Sequence, residues 1–341
     1  MVKRYYGGVI SATQVVANAA SATGFFNVTQ QMQAVQAGAW PLPPAPPPEN
    51  TAAWFGGGYA PSTIRSTVDR ITYATDTATA SVRGPLSAGR LYFAAAGNTT
   101  DAWFGAGYNP GFASTSTVDR ITYATDTATA SVRGPLSLAR IALAAAGNAT
   151  DGWFSGGLPG PLSTVDRITY ATDTDTASVR GPLSLARYNL AAVGNTTDAW
   201  FGGGYVYPGS GLNSTVDRIT YATDTATASV RGPLSAARRY LAAAGNTTDG
   251  WFGGGSPGPL STVDRITYAT DTATASVRGP LSVGRDALAA AGNTTDGWFG
   301  GGAPGGSTVQ RITYATDTAT ASVRGPLSLA RRSLAAAGGI Q

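Results

Sequence analysis

The sequence predicts an all-β fold, a six-bladed β-propeller, and two observations lead to it. A phrase spanning residues 66–87 returns with few changes from Ser116, Ser163, Ser214, Ser261 and Ser307. A second phrase, a Trp-Phe pair followed by glycines, stands between these copies, with a partial copy at Trp54. A repeat of about 50 residues is typical of propeller blades, so each period predicts one blade.

Each period divides into four predicted strands, A to D. In the copy around Trp103 these strands cover residues 91–96, 102–107, 116–124 and 128–133. The turns between them are rich in Gly, Asn, Thr and Asp, and strand C is rich in β-branched and aromatic residues. Strand A is mainly alanine and suits the crowded propeller axis. The Trp-Phe pair of strand B suits the space between blades.

The two ends of the repeat array predict how the ring closes. The first copy starts at residue 51 with the equivalent of strand B. The last copy ends with an alanine-rich strand A around Ala335 to Ala337 that has no strand B after it. The C-terminal strand is therefore expected to complete the first blade and to leave no open half-blade at the seam.

Residues 1–50 do not share the repeat. Residues 1–40 are interpreted as an N-terminal docking segment with a short helix over about 28–37, and residues 41–50 as a proline-rich linker to the propeller at 51–341. A short apolar helix cannot bury its own face. It therefore either folds back on the propeller or docks it to a larger assembly or to copies of itself, and we favour docking. The expected docking residues are Phe25, Phe26, Val28, Met32, Val35 and Trp40.

Composition argues against several classes of function. The chain has no cysteine and no histidine, so it has no thiolate and no imidazole to bind a transition metal or act as a general base. The net charge of +4 is small and arginines recur in every repeat, which argues against nucleic acid as a partner. No segment resembles a transmembrane helix or a cleaved signal peptide, so no membrane partner is expected. We expect a non-enzymatic protein with no catalytic residue, metal or cofactor.

Two acidic positions that recur in the copies could suggest other sites. The adjacent residues Asp69 and Arg70 are interpreted as a structural ion pair or turn bond. Asp76 and its equivalents fall in the C–D turns, where an aspartate caps its own turn, and calcium binding is the alternative.

The motifs of one copy, taken in order, resemble the kelch repeat. They are an arginine before strand A, paired glycines after the Trp-Phe pair (for example Gly203 and Gly204), a tyrosine on strand C (for example Tyr221) and a closing Gly-Pro-Leu-Ser. The resemblance covers residues 51–338 and implies a propeller. The tryptophan usual in strand D of kelch repeats is absent, and tryptophan stands on strand B instead, so contacts between blades are expected to differ.

The near-identical Thr-Val-Asp-Arg-Ile-Thr-Tyr copies are also similar to kelch-like repeats in virion proteins of tailed phages. Segments 7–11 and 30–41 look like leader segments of such proteins. This resemblance implies a tail fibre, head fibre or decoration protein on the outer surface of the tail, neck or head. It also implies contacts with other virion proteins through residues 1–40, and we expect a homo-oligomer.

Most of the differences among the six copies fall in two places. The spacing from the strand C Asp to the next Trp is always 34 residues, whereas the spacing from Trp to that Asp, or to Gln310, varies from 12 to 17. The change in length therefore lies in the B–C loop. The two residues after the arginine that precedes strand A also vary. Because strands alternate in direction, both places are expected on one face.

Variable loops on a rigid scaffold commonly carry binding sites, so this face is the predicted binding surface. The expected ligand-binding residues are Tyr59, Tyr92, Tyr108, Asn109, Tyr188, Tyr205, Tyr207, Asn213, Arg239 and Tyr240. The favoured function is attachment of a virion to a glycan or protein of the host-cell surface. A structural decoration or spacer of the virion is the alternative, followed by a cellular kelch scaffold, and the loop differences could also be drift.

Overall fold

The computed structural model describes residues 51–208, 211–304 and 306–338. They form six antiparallel four-stranded sheets, and each sheet contacts the next through its strand A around a common axis. The described chain is therefore a six-bladed β-propeller, as the repeat predicts. The docking segment (1–40), its helix over about 28–37 and the proline-rich linker (41–50) lie outside the described residues.

Strand A lies next to the axis in every blade, and strand D lies at the rim. Strands A, B, C and D are, in blade 1, Ala335–Ala337, Ala52–Gly56, Val68–Thr72 and Ser81–Arg83; in blade 2, Ala94–Gly97, Asp101–Gly105, Val118–Thr122 and Ser131–Arg133; in blade 3, Ala144–Gly147, Asp151–Ser155, Val165–Thr169 and Ser178–Arg180; in blade 4, Ala191–Gly194, Asp198–Gly202, Val216–Thr220 and Ser229–Arg231; in blade 5, Ala242–Gly245, Asp249–Gly253, Val263–Thr267 and Ser276–Arg278; and in blade 6, Ala289–Gly292, Asp296–Gly300, Val309–Thr313 and Ser322–Arg324.

Short 3-10 helices and two small hairpins complete the described secondary structure. One 3-10 helix follows each strand C, and the six are Tyr73–Thr75, Tyr123–Thr125, Tyr170–Thr172, Tyr221–Thr223, Tyr268–Thr270 and Tyr314–Thr316. The hairpins lie in the B–C loops of blade 1 (Tyr59–Ala60 with Thr63–Ile64) and blade 4 (Tyr205–Val206 with Gly211–Leu212). Within the described ranges, no helix has the length and apolar character needed to cross a membrane.

The C-terminal strand completes blade 1, which confirms the predicted closure. It pairs antiparallel with the first strand of the array, in the register Trp54↔Ala337 and Gly56↔Ala335. The resulting sheet has the same A-B-C-D order as the other five blades. The seam therefore leaves no half-blade among the described residues.

The strands are shorter than the sequence predicts, for local reasons. Strand A of blade 2 begins at Ala94 and not at residue 91, because Tyr92 adopts a left-handed conformation with a φ of 56° that a continuous strand cannot accommodate. Strand C ends at Thr122 because a 3-10 helix begins at Tyr123. Strand D begins later than predicted because the turn that precedes it extends into the predicted strand.

Each blade is joined to the next by a tryptophan, a tyrosine, an arginine and an aspartate. The Trp54 ring of blade 1 stacks on the Tyr123 ring of blade 2, with centroids 3.8 Å apart and planes 8° from parallel. The Trp54 indole N–H donates to Asp126 Oδ2 over 2.9 Å. Arg70, which lies opposite Trp54 in the sheet, donates to the same oxygen over 3.1 Å. The carboxylate therefore satisfies two polar groups at the edge of a buried aromatic stack.

The same junction recurs six times and includes the seam. The stacked pairs are Trp54–Tyr123, Trp103–Tyr170, Trp153–Tyr221, Trp200–Tyr268, Trp251–Tyr314 and Trp298–Tyr73. In the last pair blade 6 meets blade 1, and Trp298 donates to Asp76 over 2.9 Å. Burial of each indole contributes on the order of 1.5–3 kcal/mol, and stacking adds about 0.5–1.5 kcal/mol.

The ion pairs differ in partner from those that the sequence suggests. Asp69 and Arg70 are adjacent, yet Asp69 pairs with Arg331 and Arg70 pairs with Asp126 of the next blade. The bonds described for the C–D turn aspartates run to the preceding blade and not to their own turns: Asp126 Oδ2 accepts from Trp54 and Arg70 and lies 3.5 Å from Arg83 Nε. The prediction of a structural role is correct: the Arg70–Asp126 pair joins two blades, and the Asp69–Arg331 pair bonds a D–A connection to strand C of the blade it enters.

One glycine per blade is required by the close approach of the next blade. A Cβ at Gly84, just after strand D of blade 1, would lie 1.9 Å from the carbonyl oxygen of Ala128 in blade 2. The Gly84 N–H donates to the Asp126 carbonyl over 2.8 Å at the same contact. The Gly-Pro-Leu-Ser motif therefore marks a second contact between neighbouring blades.

The buried tyrosines predict loss of stability at alkaline pH. Burial raises the pKa of five junction phenols well above the ordinary 10.0, namely Tyr73, Tyr170, Tyr221, Tyr268 and Tyr314. Above pH ~10 the unfolded chain releases phenolic protons that the native state retains, so the unfolded state binds fewer protons and stability falls. Denaturant titrations at several pH values should show a loss of up to about 1.4 kcal/mol per pH unit for each tyrosine.

The control is the double variant Tyr170→Phe and Tyr268→Phe. Among the described residues these two buried phenol oxygens have no hydrogen-bond partner, so phenylalanine removes the titration without removing a bond. The variant should retain the neutral-pH stability and lose stability less steeply above pH ~10. An alkaline slope equal to that of the parent chain would contradict this assignment.

Candidate binding face

Both variable places lie at one end of every blade, as predicted. The variable face is defined here as the B–C loops together with the D–A connections. The first residue after each connecting arginine forms a backbone bridge to the B–C loop of its own blade. The bridges are Tyr59↔Arg332, Leu91↔Tyr108, Ile141↔Leu158, Tyr188↔Tyr205, Arg239↔Ser256 and Asp286↔Ala303. The A–B and C–D turns form the opposite, nearly invariant face.

A ring of backbone hydrogen bonds surrounds the axis at this face. The second residue after each arginine adopts a positive φ, between 52° and 59°, and its N–H donates to the carbonyl of its equivalent in the preceding blade over 2.6–3.0 Å. The six residues are Tyr92, Ala142, Asn189, Tyr240, Ala287 and Ser333. Because the ring uses only backbone atoms, its side chains are free to vary, and they do.

Two tyrosines of this ring meet across the axis. The rings of Tyr92 in blade 2 and Tyr240 in blade 5 lie 6.0 Å apart at 36°. Burial, and next the neighbouring Tyr92, raise the pKa of Tyr240 to about 12, so it is a neutral hydrogen-bonding group at ordinary pH. Tyr92 and Tyr240 thus lie together over the mouth of the axial channel.

The channel itself is too small to hold a substantial ligand. Its wall consists mainly of the alanines of strand A, and it encloses about 120 Å³ next to the variable face and about 110 Å³ in the half beyond. Pockets for small-molecule ligands usually enclose about 300–1,000 Å³. Binding is therefore expected on the surface around the mouth.

An arginine and several aromatic rings form a continuous cluster beside the mouth. The Arg239 guanidinium lies 4.8 Å from the centroid of the Tyr205 ring and 5.1 Å from that of Tyr240. Tyr188 and Tyr205 lie 5.5 Å apart at 52°. Cation–π attraction to these aromatic rings favours this position of the guanidinium.

The remaining residues predicted to bind a ligand are three tyrosines and two asparagines. The tyrosines contact other side chains or project into solvent, and the asparagines form hydrogen bonds within their own loops. Arg332 lies 5.7 Å from the centroid of Tyr59, and Tyr108 lies edge-on to Phe112 at 6.2 Å. Tyr207 projects into solvent with 65% of its surface exposed. Two amide oxygens are engaged within their own loops: that of Asn109 accepts from Gly111 and Ala113, and that of Asn213 accepts from Thr215.

The structure adds residues that the sequence prediction missed. Arg332 and Asp286 occupy the same position as Arg239 in their blades, and Phe112 is 61% exposed at the tip of a loop. The sequence could have identified all three from their positions, because each stands in one of the two variable places. The expected docking residues Phe25, Phe26, Val28, Met32, Val35 and Trp40 lie outside the described residues.

A buried ion pair anchors the variable face to the framework in five blades. In blade 3, Arg140 donates to Asp166 over 3.0 Å, and Asp166 also accepts from Ser137 N–H and Oγ–H. Both charged side chains have no exposed surface. Burial lowers the pKa of Arg140, and the charge of Asp166 opposes that shift. The D–A connection is thus bonded to strand C of the blade it enters.

Blade 6 lacks this ion pair. Gln310 replaces the aspartate, and its amide oxygen accepts from Ser282 Oγ–H over 2.7 Å. Arg285 donates to the carbonyls of Gly301 and Pro304 instead, and among the described residues it pairs with no carboxylate. Burial lowers the pKa of Arg285 with no acidic side chain to oppose it. Arg285 is therefore a buried cation with only neutral partners among the described residues.

Comparison with protein-family models and with curated proteins gives no match. The described residues also contain no cluster of three or more acidic side chains suited to a metal ion. The structure therefore establishes a six-bladed β-propeller of repeated blades, and the role of the variable face has to be inferred from its own residues.

Gln310→Asp should stabilise the protein. Aspartate at this position would supply the carboxylate that Arg285 lacks and would reproduce the bonds of the other blades. A hydrogen bond to a charged group contributes about 1.5–3 kcal/mol, so we expect a gain of about 1–3 kcal/mol in the free energy of unfolding, measured by chemical denaturation.

The matched control is Asp166→Gln, which gives blade 3 the arrangement of blade 6. It should lower the free energy of unfolding by about 3–5 kcal/mol, because it leaves Arg140 buried without a carboxylate. If Gln310→Asp destabilised the protein while Asp166→Gln left it unchanged, the anchoring role of the pair would be wrong.

Proposed function

We propose that this chain is a non-enzymatic binding protein whose variable face attaches to a host-cell surface. The observation that supports the proposal most strongly is that all length differences and most sequence differences fall on one face. In all six blades a backbone bridge joins the two variable places, and the junctions between blades stay almost unchanged. A rigid ring that presents variable loops is a scaffold suited to recognition.

The chemistry of the face also suits recognition. Its exposed and half-buried side chains include tyrosines and Arg239, whose guanidinium lies over the rings of Tyr205 and Tyr240. Tyrosine offers a large rigid ring and a hydroxyl at low entropic cost, and it is a common contact residue in binding surfaces. We infer that the ligand is a glycan or a protein surface.

The resemblance of the repeats to kelch-like repeats in virion proteins of tailed phages supplies the biological setting of the proposal. The chain would be a fibre or adhesin on the outside of the tail, neck or head, and would contact other virion proteins through residues 1–40. A decoration or spacer protein is the alternative within the same setting, and it would need no ligand at the variable face.

The test is binding of the fluorescently labelled full chain to a panel of bacterial cells, next to a variant with a uniform variable face. In that variant the B–C loops of blades 1, 2 and 4 are replaced by residues 254–262 of blade 5, a loop that closely resembles the one in blade 3. We expect the parent chain to label some strains and the variant to lose at least about tenfold in affinity, since loop contacts of this kind contribute 1.4 kcal/mol or more.

The control changes the opposite face. Thr99, Thr196 and Thr247 are replaced by alanine, which blade 3 already carries as Ala149. This variant should label cells like the parent. If the uniform-face variant labels cells as well as the parent does, the variable face is not the attachment surface, and the decoration alternative becomes the better explanation.

A further inference from the structure

The charged side chains of the propeller fall into two groups. One group, called the framework here, has equal numbers of arginines and aspartates, and the other, called the cationic surplus, consists of the arginines left over and Asp286. The described residues contain 21 arginines and 18 aspartates, because Lys3, Arg4 and Glu49 account for the rest of the 23 basic and 19 acidic residues. Seventeen of these arginines form ion pairs with aspartates of the blades. Apart from Asp286, the other 17 aspartates equal them in number, so the framework has no net charge.

The surplus lies entirely on the variable face. The four remaining arginines, Arg65, Arg239, Arg285 and Arg332, stand in a B–C loop or in D–A connections, and none of them forms an ion pair with a described carboxylate. Asp286 is the one described acidic residue of this face. Arg285 is buried, whereas the other three arginines are half-buried or exposed.

The surplus is also concentrated in one half of the face. Arg239, Asp286 and Arg332 occupy equivalent positions in blades 5, 6 and 1, which are consecutive around the ring. The same position holds Leu91 and Ile141 in blades 2 and 3. All four unpaired arginines of the variable face therefore belong to blades 5, 6 and 1, which form its cationic half, whereas the equivalent position is apolar in blades 2 and 3.

Asp286 lies between the two arginines without neutralising either of them. It forms no ion pair with Arg239 or Arg332, although their charges act on it. Its pKa is raised by burial, an effect that the two arginines only partly oppose. The site therefore consists of two arginines on either side of a carboxylate whose charged form is disfavoured by burial.

We propose that the cationic half of the variable face binds an acidic glycan, meaning sugar rings that bear carboxylate or phosphate groups. This inference rests on the proposed attachment function and gives the chemical class of its ligand. A guanidinium presents planar paired N–H donors that match a carboxylate or phosphate. The neighbouring rings of Tyr205, Tyr188 and Tyr59 supply flat apolar surfaces on which a sugar ring can lie.

The pairing of arginine with aromatic rings favours this ligand over a polyanion without rings. The Arg239 guanidinium lies over the rings of Tyr205 and Tyr240, so an anionic group that reaches its N–H edge brings the attached sugar against those side chains. A simple polyanion would gain the charge interaction alone. The preference between the two is therefore measurable.

The test measures binding of the full chain to four polymers by biolayer interferometry. Polygalacturonate carries carboxylates on sugar rings, phosphomannan carries phosphates on sugar rings, dextran is neutral, and polyglutamate carries carboxylates without sugars. We expect at least about tenfold tighter binding of one or both acidic glycans than of dextran or polyglutamate, weakening as salt rises. The two acidic arms tell carboxylate from phosphate recognition.

Three variants at one structural position separate the roles of the charges. Arg239→Ile together with Arg332→Ile installs the residue that blade 3 carries as Ile141, so the blade geometry is preserved. This double variant should lose about tenfold in affinity for each arginine. Asp286→Ile should gain about three- to fivefold, because it removes a repulsion of surface-pair strength. The control Leu91→Ile should bind like the parent.

Some results would overturn the inference. Equal binding of polyglutamate and the acidic glycans would show that charge alone is recognised, and undiminished glycan binding by the double variant would place the site elsewhere. If no acidic glycan binds while cells are still labelled through the variable face, the attachment function stands and the ligand class is wrong. If neither cells nor glycans are bound, both proposals fail.

Discussion

The propeller depends on one carboxylate at each junction between blades. Asp126 accepts from the Trp54 indole and from Arg70, and its own blade supplies the Tyr123 ring on which Trp54 stacks. One aspartate thus links the aromatic core of one blade to the turn of the next, and the arrangement recurs at all six junctions. Because Trp298, Tyr73 and Asp76 form it at the seam as well, the ring is closed by the same contact that builds it.

The junction residues and the variable residues are different residues of each blade, and this explains where sequence differences are tolerated. The junction residues lie on strands B, C and D, in the 3-10 helices and in the C–D turns, while the variable residues nearest the axis bond to the neighbouring blades through their backbone atoms. The axial ring formed by Tyr92 and its equivalents shows this most clearly, since tyrosine, alanine, asparagine and serine all fit it. A face held by its backbone can change its side chains without weakening the ring, and the surplus of arginine accumulates there.

The architecture could be predicted from the sequence because the near-identical repeats define the period and the strand order. They also show that the first copy lacks a strand A, which the C-terminus supplies. The variable face followed from the constant spacing of 34 residues between the strand C Asp and the next Trp. Three features escaped prediction because they depend on three-dimensional proximity. The non-glycine left-handed position at Tyr92 has no local signature, Asp126 finds its partners in another blade, and Asp286 becomes notable only between Arg239 and Arg332.

Native-state hydrogen exchange of the full chain, followed by mass spectrometry, tests the central claim that six equivalent junctions close the ring. Amides of strands B and C should exchange at similar, slow rates in all six blades, including Ala52–Gly56, which pairs with the C-terminal strand. The loops of the variable face should exchange much faster. If blade 1 and Ala335–Ala337 exchanged well before the other blades, the seam would be a weak point and the account of a uniformly closed ring would be wrong.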